Sequence, residues 1–510
     1  MAIGACCMKH AMLISLCLLI VCPLFSEDVN GSIEYTGDIR ILNLWGTWPE
    51  MGYAHGYLLG PDIAEVFHEY FLEMVGGVSN YANLRAYFLM YFDLPPVFID
   101  YSQGILSGIS DTVSIYSVPL GRNMDYIDIC VVSSIPDLSA LGGMEQLLCT
   151  SVSAWNAATE GEPELSGAPA VSRNLDYYVD TGGSALDNSI LMTFDPESGQ
   201  DWVSVGFPGF AGSLSGMNES GISASLNMGN NPGTVQFTSP FIPICMALAL
   251  GLGDEDFNGS GQCDVEDMKD ALTEWNRCNS YDIHIVADRN LAGQDSSSVV
   301  VEVNNRNGYA FRYSGDEPDI APCRMILSNH HRVLIPPVGC YRYALLIDSL
   351  TLNPDVTLER LWNFMGAVGW PATPGSGGTI QTMVFMPEHL RMGLAFATAA
   401  TPSYEQVPEW IEWTDIFPNH PPQSIEGDIN AEQLIRISPN PSSGIVSISY
   451  QGSIHDISLY DTAGRKLDAD IFESAESCLS VDLSALPEGI YRILVQIENT
   501  VFAENVVIIR

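Results

Sequence analysis

Among the side chains able to carry covalent chemistry, one cysteine stands in a setting of note: Cys149-Thr150, preceded by Leu148 and followed by an alternating run that ends at Trp155. A thiolate attacks acyl carbon readily once a base or a cation lowers its pKa from about 8.5. Two similar segments supply such cations, GRNMDY (Gly121 to Tyr126) and SRNLDY (Ser172 to Tyr177), each with Arg and Asp three apart around an Asn. An isolated copy reads as a strand end with a local ion pair or an Asx turn. Only the second follows Cys149-Thr150 by a strand and a turn, so two antiparallel strands would bring Arg173 and Asp176 beside Cys149.

A different chemistry is written in DFNGSGQCDVED, Asp256 to Asp267. Oxygen-bearing side chains fall at loop positions 1, 3, 5, 9 and 12 (Asp256, Asn258, Ser260, Asp264, Asp267), with Gly261 at position 6 and the Gln262 carbonyl at 7. That is the register of an EF-hand calcium loop, with Asp in place of the bidentate Glu at position 12. Two readings stand: a structural calcium ion, or an acidic surface loop that caps the next helix through Asp264. Neither involves the ion in catalysis.

The elements that must position these groups are mixed. Tyr53 to Val75 carries apolar residues at helical spacing, interrupted at Gly60-Pro61. From Cys149 onward come SVSAW, APAVSRNLDYYV, SILMTFD, WVSVGF, GSLSGMN and GISASLN, short runs between Gly, Asn or Asp turns that predict strands. Pro243 to Leu252 and Val265 to Trp275 read as helices, and DIHIVAD and SVVVEV as two further strands. Strands, a helical layer and strands again predict sheets covered by helices, an α/β layered domain.

The 510 residues are too many for one ordinary domain, and the ends have their own grammar. Lys9 and His10 precede an apolar run from Ala11 to Val21, which reads as a secretory signal over residues 1–26 and is too short to span a bilayer. Twelve Cys less the four in that segment leaves eight, which can pair in an oxidising compartment; Cys263 with Cys278 and Cys323 with Cys340 are the local candidates. Phe417 to Gly427 is rich in Pro and polar residues and marks a linker, drawn over 404–433. Beyond it, residues 434–510 show short alternating runs between turn clusters, the pattern of a small antiparallel β-sandwich. A net charge of -42, from 20 Lys+Arg against 62 Asp+Glu, excludes nucleic acid as a partner. Hydrophobic residues at 46% exclude wholesale disorder.

The tail resembles the type A C-terminal sorting domain of the type IX secretion system. The resemblance is carried by Pro439, Asn440 and Pro441, by Asp461, Gly464 and Arg465, and by Asp482, Leu483, Leu486, Pro487, Gly489, Ile490 and Tyr491. It implies delivery through that machinery to the cell surface or medium; no stretch beyond the signal approaches 18 uninterrupted apolar residues, so no stable membrane span is expected.

The central region, from about Gly46 to Phe396, resembles the cysteine N-terminal-nucleophile hydrolases, in particular the peptidase C45 branch around isopenicillin N acyltransferase, with choloylglycine hydrolases as cousins. The matching pieces occur in order: GYAHGYLLG, CTSVSAW, SRNLDY, PGFAGSLSGMNESGISASLN, NSYDIHIVAD, VVVEV, LSNHH and GTIQTMVF. The resemblance implies a four-layer αββα sandwich and self-cleavage at Leu148-Cys149, although Leu148 stands where the acyltransferase precedent has glycine. It divides the chain into a propeptide or α-chain segment over 32–148 and a core over 149–403. A freed α-amino group, with a pKa of about 7.7 to 8.0, then serves as base for the thiol of its own residue. The resemblance gives Arg173 the role of favouring the thiolate, Asp176 that of holding the amine, and Asn227 and Asn279 those of oxyanion donors. Arg342 sits where relatives often carry an arginine, on a helical pattern that also suits a solvated face. Asn218 reads as part of a turn, and His330 and His331 as packing residues. The function implied is a secreted amidohydrolase or acyltransferase acting on a small molecule with a linear amide or acyl group, needing no cofactor for catalysis. A non-catalytic binding protein on the same scaffold is the rival.

Overall fold

A computed structural model describes residues 29–417, apart from 142–147, 230–234, 238–239 and 292–296, and most of 435–508. The signal segment, most of the linker, and the tail residues Pro439 to Pro441, Gly464 and Arg465 lie outside the described residues. The chain divides into two compact units, Met1–Pro422 and Gln423–Arg510.

The first unit is built on two sheets. The larger has nine strands in the order Gly31–Thr36, Ile39–Gly46, Ile190–Pro196, Trp202–Gly206, Ser215–Asn218, Ile222–Met228, Ser280–Ala287, Ser298–Asn304 and Gly308–Tyr313. Its neighbours are antiparallel except Ile39–Gly46, which runs parallel to Ile190–Pro196. The smaller has six antiparallel strands in the order Arg324–Leu327, Leu148–Ala154, Ala170–Val179, Ser376–Met386, Arg391–Phe396 and Glu409–Glu412.

Alternation along the strands makes the layers, because successive side chains leave opposite faces. In Ile39–Gly46, Leu42 and Leu44 join the core under the helices, whereas Ile39 and Ile41 pack with Val171, Met383, Phe385, Met392 and Leu394 of the small sheet. The helices Trp48–Glu65, Pro96–Thr112, Ile244–Gly253 and Val265–Thr273 lie on the outer side of the large sheet, and Tyr341–Leu352 and Leu358–Val368 on that of the small one. The unit is thus the four-layer αββα sandwich that the resemblance implied.

Three details depart from the sequence reading. The helix over Tyr53 to Val75 starts earlier, at Trp48, bends at Leu59 two residues before Pro61, and widens into a π-helical turn at Val66–Phe71. Residues 404–417 are not linker: Glu409–Glu412 pairs with Arg391–Phe396, and Trp413, Ile416 and Phe417 are buried between the sheets. Segment 32–148 supplies two strands of the large sheet and much of its helical cover, so its boundary with 149–403 is not a boundary of the fold.

The helices Trp48–Glu65 and Pro96–Thr112 touch backbone to backbone through Gly52 and Gly56 on one and Gly104 and Gly108 on the other, while Gly60 makes room for the Thr112 side chain. A Cβ on Gly56 would lie 1.9 Å from the Ile105 carbonyl oxygen, and one on Gly108 2.2 Å from that of Tyr53. His55, buried at this contact, accepts a hydrogen bond at Nε2 from the Gly209 N–H at 2.8 Å, so Nδ1 carries the proton and faces the Tyr101 hydroxyl at 2.7 Å. Burial holds its pKa down at about 3. The seven described cysteine side chains, Cys263, Cys278, Cys323 and Cys340 among them, are free thiols, so neither local pairing forms.

The second unit is a sandwich of two four-stranded antiparallel sheets around Val446, Ile448, Leu459, Val481, Leu483, Ile493, Val495, Val506 and Ile508. The Tyr491 hydroxyl reaches back to the Pro487 carbonyl at 2.9 Å and ties down the turn before its own strand.

Candidate active site

Strands Leu148–Ala154 and Ala170–Val179 pair with Cys149 opposite Leu175, Leu148 opposite Asp176 and Ser151 opposite Arg173. Cross-strand partners share a face, so Cys149 and Arg173 both point into the space between the sheets. Thr150 and Asp176 point the other way, towards the helix Tyr341–Leu352. The hairpin thus splits its polar groups into two sets, one at the sulfur and one behind the backbone.

On the sulfur side, Arg173 Nη2 lies 3.3 Å from Cys149 Sγ, and both residues are fully buried. Its other Nη hydrogens go to the carbonyls of Leu214 and Leu226 and to Ser215 Oγ, while Nε has no partner among the described residues. Burial pushes the Cys149 thiol up from its ordinary value; Arg173 opposes that shift and Asp176 adds to it. In the intact chain Cys149 is therefore a protonated thiol with a cation at hand.

Behind the backbone, Arg342 gathers the set. Its Nη1 donates to the Cys149 carbonyl at 3.1 Å, to Thr150 Oγ1 at 2.6 Å and to Asp176 Oδ2 at 3.1 Å, and its Nη2 donates to Asn329 Oδ1 at 2.6 Å. Asp176 also accepts from Thr379 Oγ1 at 2.6 Å. Burial raises its pKa to about 6 against the pull of Arg342 and Thr379. Asn329 Oδ1 accepts from the nitrogen of Cys149 at 2.9 Å, while its Nδ2 donates to the Met228 carbonyl at 3.0 Å.

Cys149, Arg173 and Asp176 are thus gathered as the hairpin argument required. Asn227 lies one residue beyond Leu226, fully buried; its Nδ2 donates to the Ser328 carbonyl at 3.2 Å and its Oδ1 has no partner among the described residues. Asn279 is engaged elsewhere, its Nδ2 donating to the Pro136 carbonyl at 2.9 Å and to Ser139 Oγ at 3.0 Å, which spends both amide hydrogens. Asn218 closes a turn by accepting from the Ile222 N–H at 2.9 Å. One member of the site escaped the sequence reading, and the structure decides between the two readings of another. Asn329 sits in LSNHH, where the histidines drew attention, and Arg342 faces the site rather than solvent. GRNMDY serves a different end: Arg122 and Arg85 both bind the buried Asp128 carboxylate and tie helix Val78–Tyr91 to helix Tyr126–Ser133.

An apolar cleft adjoins the sulfur side, lined among others by Tyr70, Tyr177, Phe207, Phe210 and Leu214. Tyr177 shares a face with Leu175, the partner of Cys149, and Leu214 is an anchor of Arg173.

The loop Asp256 to Asp267 closes on itself. Asp256 Oδ2 accepts from the Gly261 N–H at 2.9 Å, Asn258 Oδ1 from the Ser260 N–H at 2.9 Å, and Ser260 Oγ faces the Gln262 carbonyl at 3.2 Å. Gly261 takes a φ of +86° at the sixth position, which glycine adopts without strain. Asp264 caps helix Val265–Thr273, and Asp267 is buried with its oxygens on the N–H groups of Asn258 and Asp264. A ring of hard oxygens on a closed loop suits a hard cation, so the residues fit the group.

Comparison with known proteins adds the following. Residues 436–509 match the family described as secretion system C-terminal sorting domain. The chain is accordingly one that is secreted or displayed at the cell surface. A curated relative of uncharacterised function from Archaeoglobus fulgidus is 24% identical over 223 residues, 40% of this chain, and the chain spans only 35% of that relative's length. Among solved structures, the chain is similar to a Caenorhabditis elegans N-acylethanolamine-hydrolyzing acid amidase ortholog, with 17% identity, 47% of this chain and 93% of the other covered, and a TM-score of 0.35. Two variants of conjugated bile acid hydrolase from Clostridium perfringens are similar at 13% and 12% identity, over 52% of this chain and 93% of theirs, with TM-scores of 0.34 and 0.35. Overlaps of that size carry no functional weight.

Proposed function

We propose that the chain is an exported cysteine N-terminal-nucleophile amidohydrolase that frees Cys149 by cutting its own Leu148-Cys149 bond and then cleaves linear amides through an acyl-Cys149 intermediate. The observation that carries this is the two-sided hold on one residue: Arg173 at 3.3 Å from the sulfur and Asn329 Oδ1 at 2.9 Å from the nitrogen. A buried backbone N–H needs an acceptor in any case, but a cysteine kept only for packing needs no cation at its sulfur.

In maturation the Cys149 sulfur attacks the Leu148 carbonyl carbon, the acyl group passes from nitrogen to sulfur, and water hydrolyses the thioester. Leu148 leaves as a carboxylate and Cys149 keeps a free amine. In turnover that amine takes the thiol proton as sulfur adds to the substrate carbonyl, and returns it to the departing amine. Asn329 Oδ1 accepts from the nitrogen and turns its lone pair to the sulfur, while Arg342 braces Asn329, Asp176 and the Cys149 carbonyl together. Asn227 keeps one amide hydrogen to offer the oxyanion, and Arg173 favours the thiolate. With its hydrogens spent, Asn279 is assigned a bracing role instead. The apolar cleft supports an apolar acyl group. Water as second acceptor makes the protein a hydrolase; an amine in its place would make it an acyltransferase. Asp256, Asn258, Ser260, Gln262, Asp264 and Asp267 would hold a calcium ion that stabilises the fold and takes no part in the reaction.

N-terminal sequencing of purified protein should find a fragment beginning at Cys149, and Cys149→Ala should yield an uncut, inactive chain. Asn227→Ala should mature and lose turnover by roughly a hundredfold. Asn279→Ala should lose melting temperature instead. An uncut wild type whose amidase activity survives loss of the Cys149 thiol defeats the proposal.

A further inference from the structure

Asn227, Asp282 and Glu302 are direct cross-strand partners on three adjacent strands of the large sheet. Residues so paired point to the same face. All three grip one segment, Ser328 to Leu334, which follows the strand paired with that of Cys149. Asn227 Nδ2 donates to the Ser328 carbonyl. Asp282 Oδ1 accepts from His331 Nδ1 at 2.6 Å, and His331 Nε2 meets Ser280 Oγ at 2.7 Å. Glu302 takes three successive backbone N–H groups, Arg332 on Oε1 at 2.8 Å and Val333 and Leu334 on Oε2 at 2.9 and 2.8 Å, and Arg312 Nε adds a fourth hydrogen at 3.1 Å.

Asp282, Glu302 and His331 offer oxygen and nitrogen atoms within 4.8 Å of one another, a spacing that suits a metal ion. The donor atoms are spent on this segment and on Ser280, save Asp282 Oδ2, which has no partner among the described residues; the buried Arg312 guanidinium pairs with Glu302, and His331 with Asp282. What the row holds is backbone. Burying two carboxylates is costly unless each is hydrogen-bonded, and a surface loop needs no such anchoring. The residue that benefits is Asn329, one position after the Asn227 grip and two before His331.

We propose that Glu302, Asp282 and His331 are positioning residues that hold this segment in the register where Asn329 Oδ1 meets the nitrogen of Cys149. The proposal rests on Cys149 acting as nucleophile and base, and it adds residues that touch neither substrate nor sulfur. Glu302→Gln preserves shape but turns one acceptor into a donor that opposes the N–H groups it faces. Displacing Asn329 by a fraction of an ångström misdirects the base without altering the acyl cleft, so the loss falls on kcat and not on KM.

The test uses the full chain, with self-cleavage followed by intact mass and turnover by release of 7-amino-4-methylcoumarin from its hexanoyl amide. Glu302→Gln should lower kcat per folded molecule by about tenfold or more with KM within about twofold, and should slow self-cleavage in parallel. Asp282→Asn, which keeps an acceptor for His331 and replaces the unpartnered Oδ2 with a neutral amide nitrogen, should do the same to a smaller extent and serves if Glu302→Gln does not fold. A purely structural role would lower the melting temperature and leave kcat unchanged, and that result overturns the proposal. A wild type that is cut and active beside two variants of equal kcat overturns the positioning role alone. A wild type neither cut nor active overturns the Cys149 reading and the positioning role with it.

Discussion

Asp176→Asn should make the protein more stable at neutral pH while harming its chemistry. Asp176 is buried, and its pKa is raised from 3.8 to about 6. The folded state therefore binds this proton more tightly than the unfolded one. A group shifted in that direction contributes its full stability below about pH 4 and loses it as pH rises through about 6. A rise of about two pH units, at about 1.4 kcal/mol each, gives a penalty of roughly 3 kcal/mol above pH 6. Asparagine mimics the protonated acid, keeps an acceptor for Thr379 and carries no such penalty. In a Cys149→Ala background, which the proposed mechanism expects to stay uncut, melting curves with and without the Asp176→Asn substitution should coincide near pH 4. They should then diverge by roughly 3–6 °C by pH 7. All nine tryptophans lie between Trp45 and Trp413, so their fluorescence follows the first unit alone. A difference independent of pH, or a substituted protein that melts lower at pH 7, refutes the reasoning.

Removal of calcium with a chelator should lower the melting temperature of the first unit, with recovery on adding calcium, and Asp256→Ala should abolish the difference because a ligand bound only by the native state stabilises it by mass action. A chelator-insensitive melt returns the loop to helix capping. Deletion of residues 434–510 should leave the protein in the periplasm with the first unit folded; normal delivery to the surface contradicts the role of the tail. Gly56→Ala, which on a free helix would stabilise by about 1 kcal/mol, should here destabilise by several kcal/mol in urea titrations, since the added carbon would lie 1.9 Å from the Ile105 oxygen.

The part of the site that could be read from sequence is the part made by one hairpin. Cys149, Arg173 and Asp176 are separated by a turn, and the alternation of the strands sets both register and facing. Asn329 and Arg342 come from 180 and 193 residues away, and nothing local in LSNHH or CYRYALLIDSL reports the contact. Their arrival depends on Arg324–Leu327 adding to the edge of Leu148–Ala154, a tertiary pairing. Asn279 shows the same limit: an asparagine opening a strand looks alike whether its amide faces a substrate or, as here, Pro136 and Ser139. The layers were legible because buried strands and amphipathic helices write their periods directly. The end of the first unit was not, since the strand Glu409–Glu412 is too short to announce itself before the proline-rich stretch.

The parallel pairing of Ile39–Gly46 with Ile190–Pro196 joins residues on opposite sides of Leu148-Cys149 within one sheet. A cut at that bond would leave a single folded body made of two polypeptides. Before the cut, folding is a first-order event in which the tether supplies the effective concentration of the N-terminal strands. After it, unfolded fragments would have to find each other by diffusion, and recovery would fall as the solution is diluted. The uncut chain would be the form that folds, and the cut protein would owe its persistence outside the cell to slow unfolding.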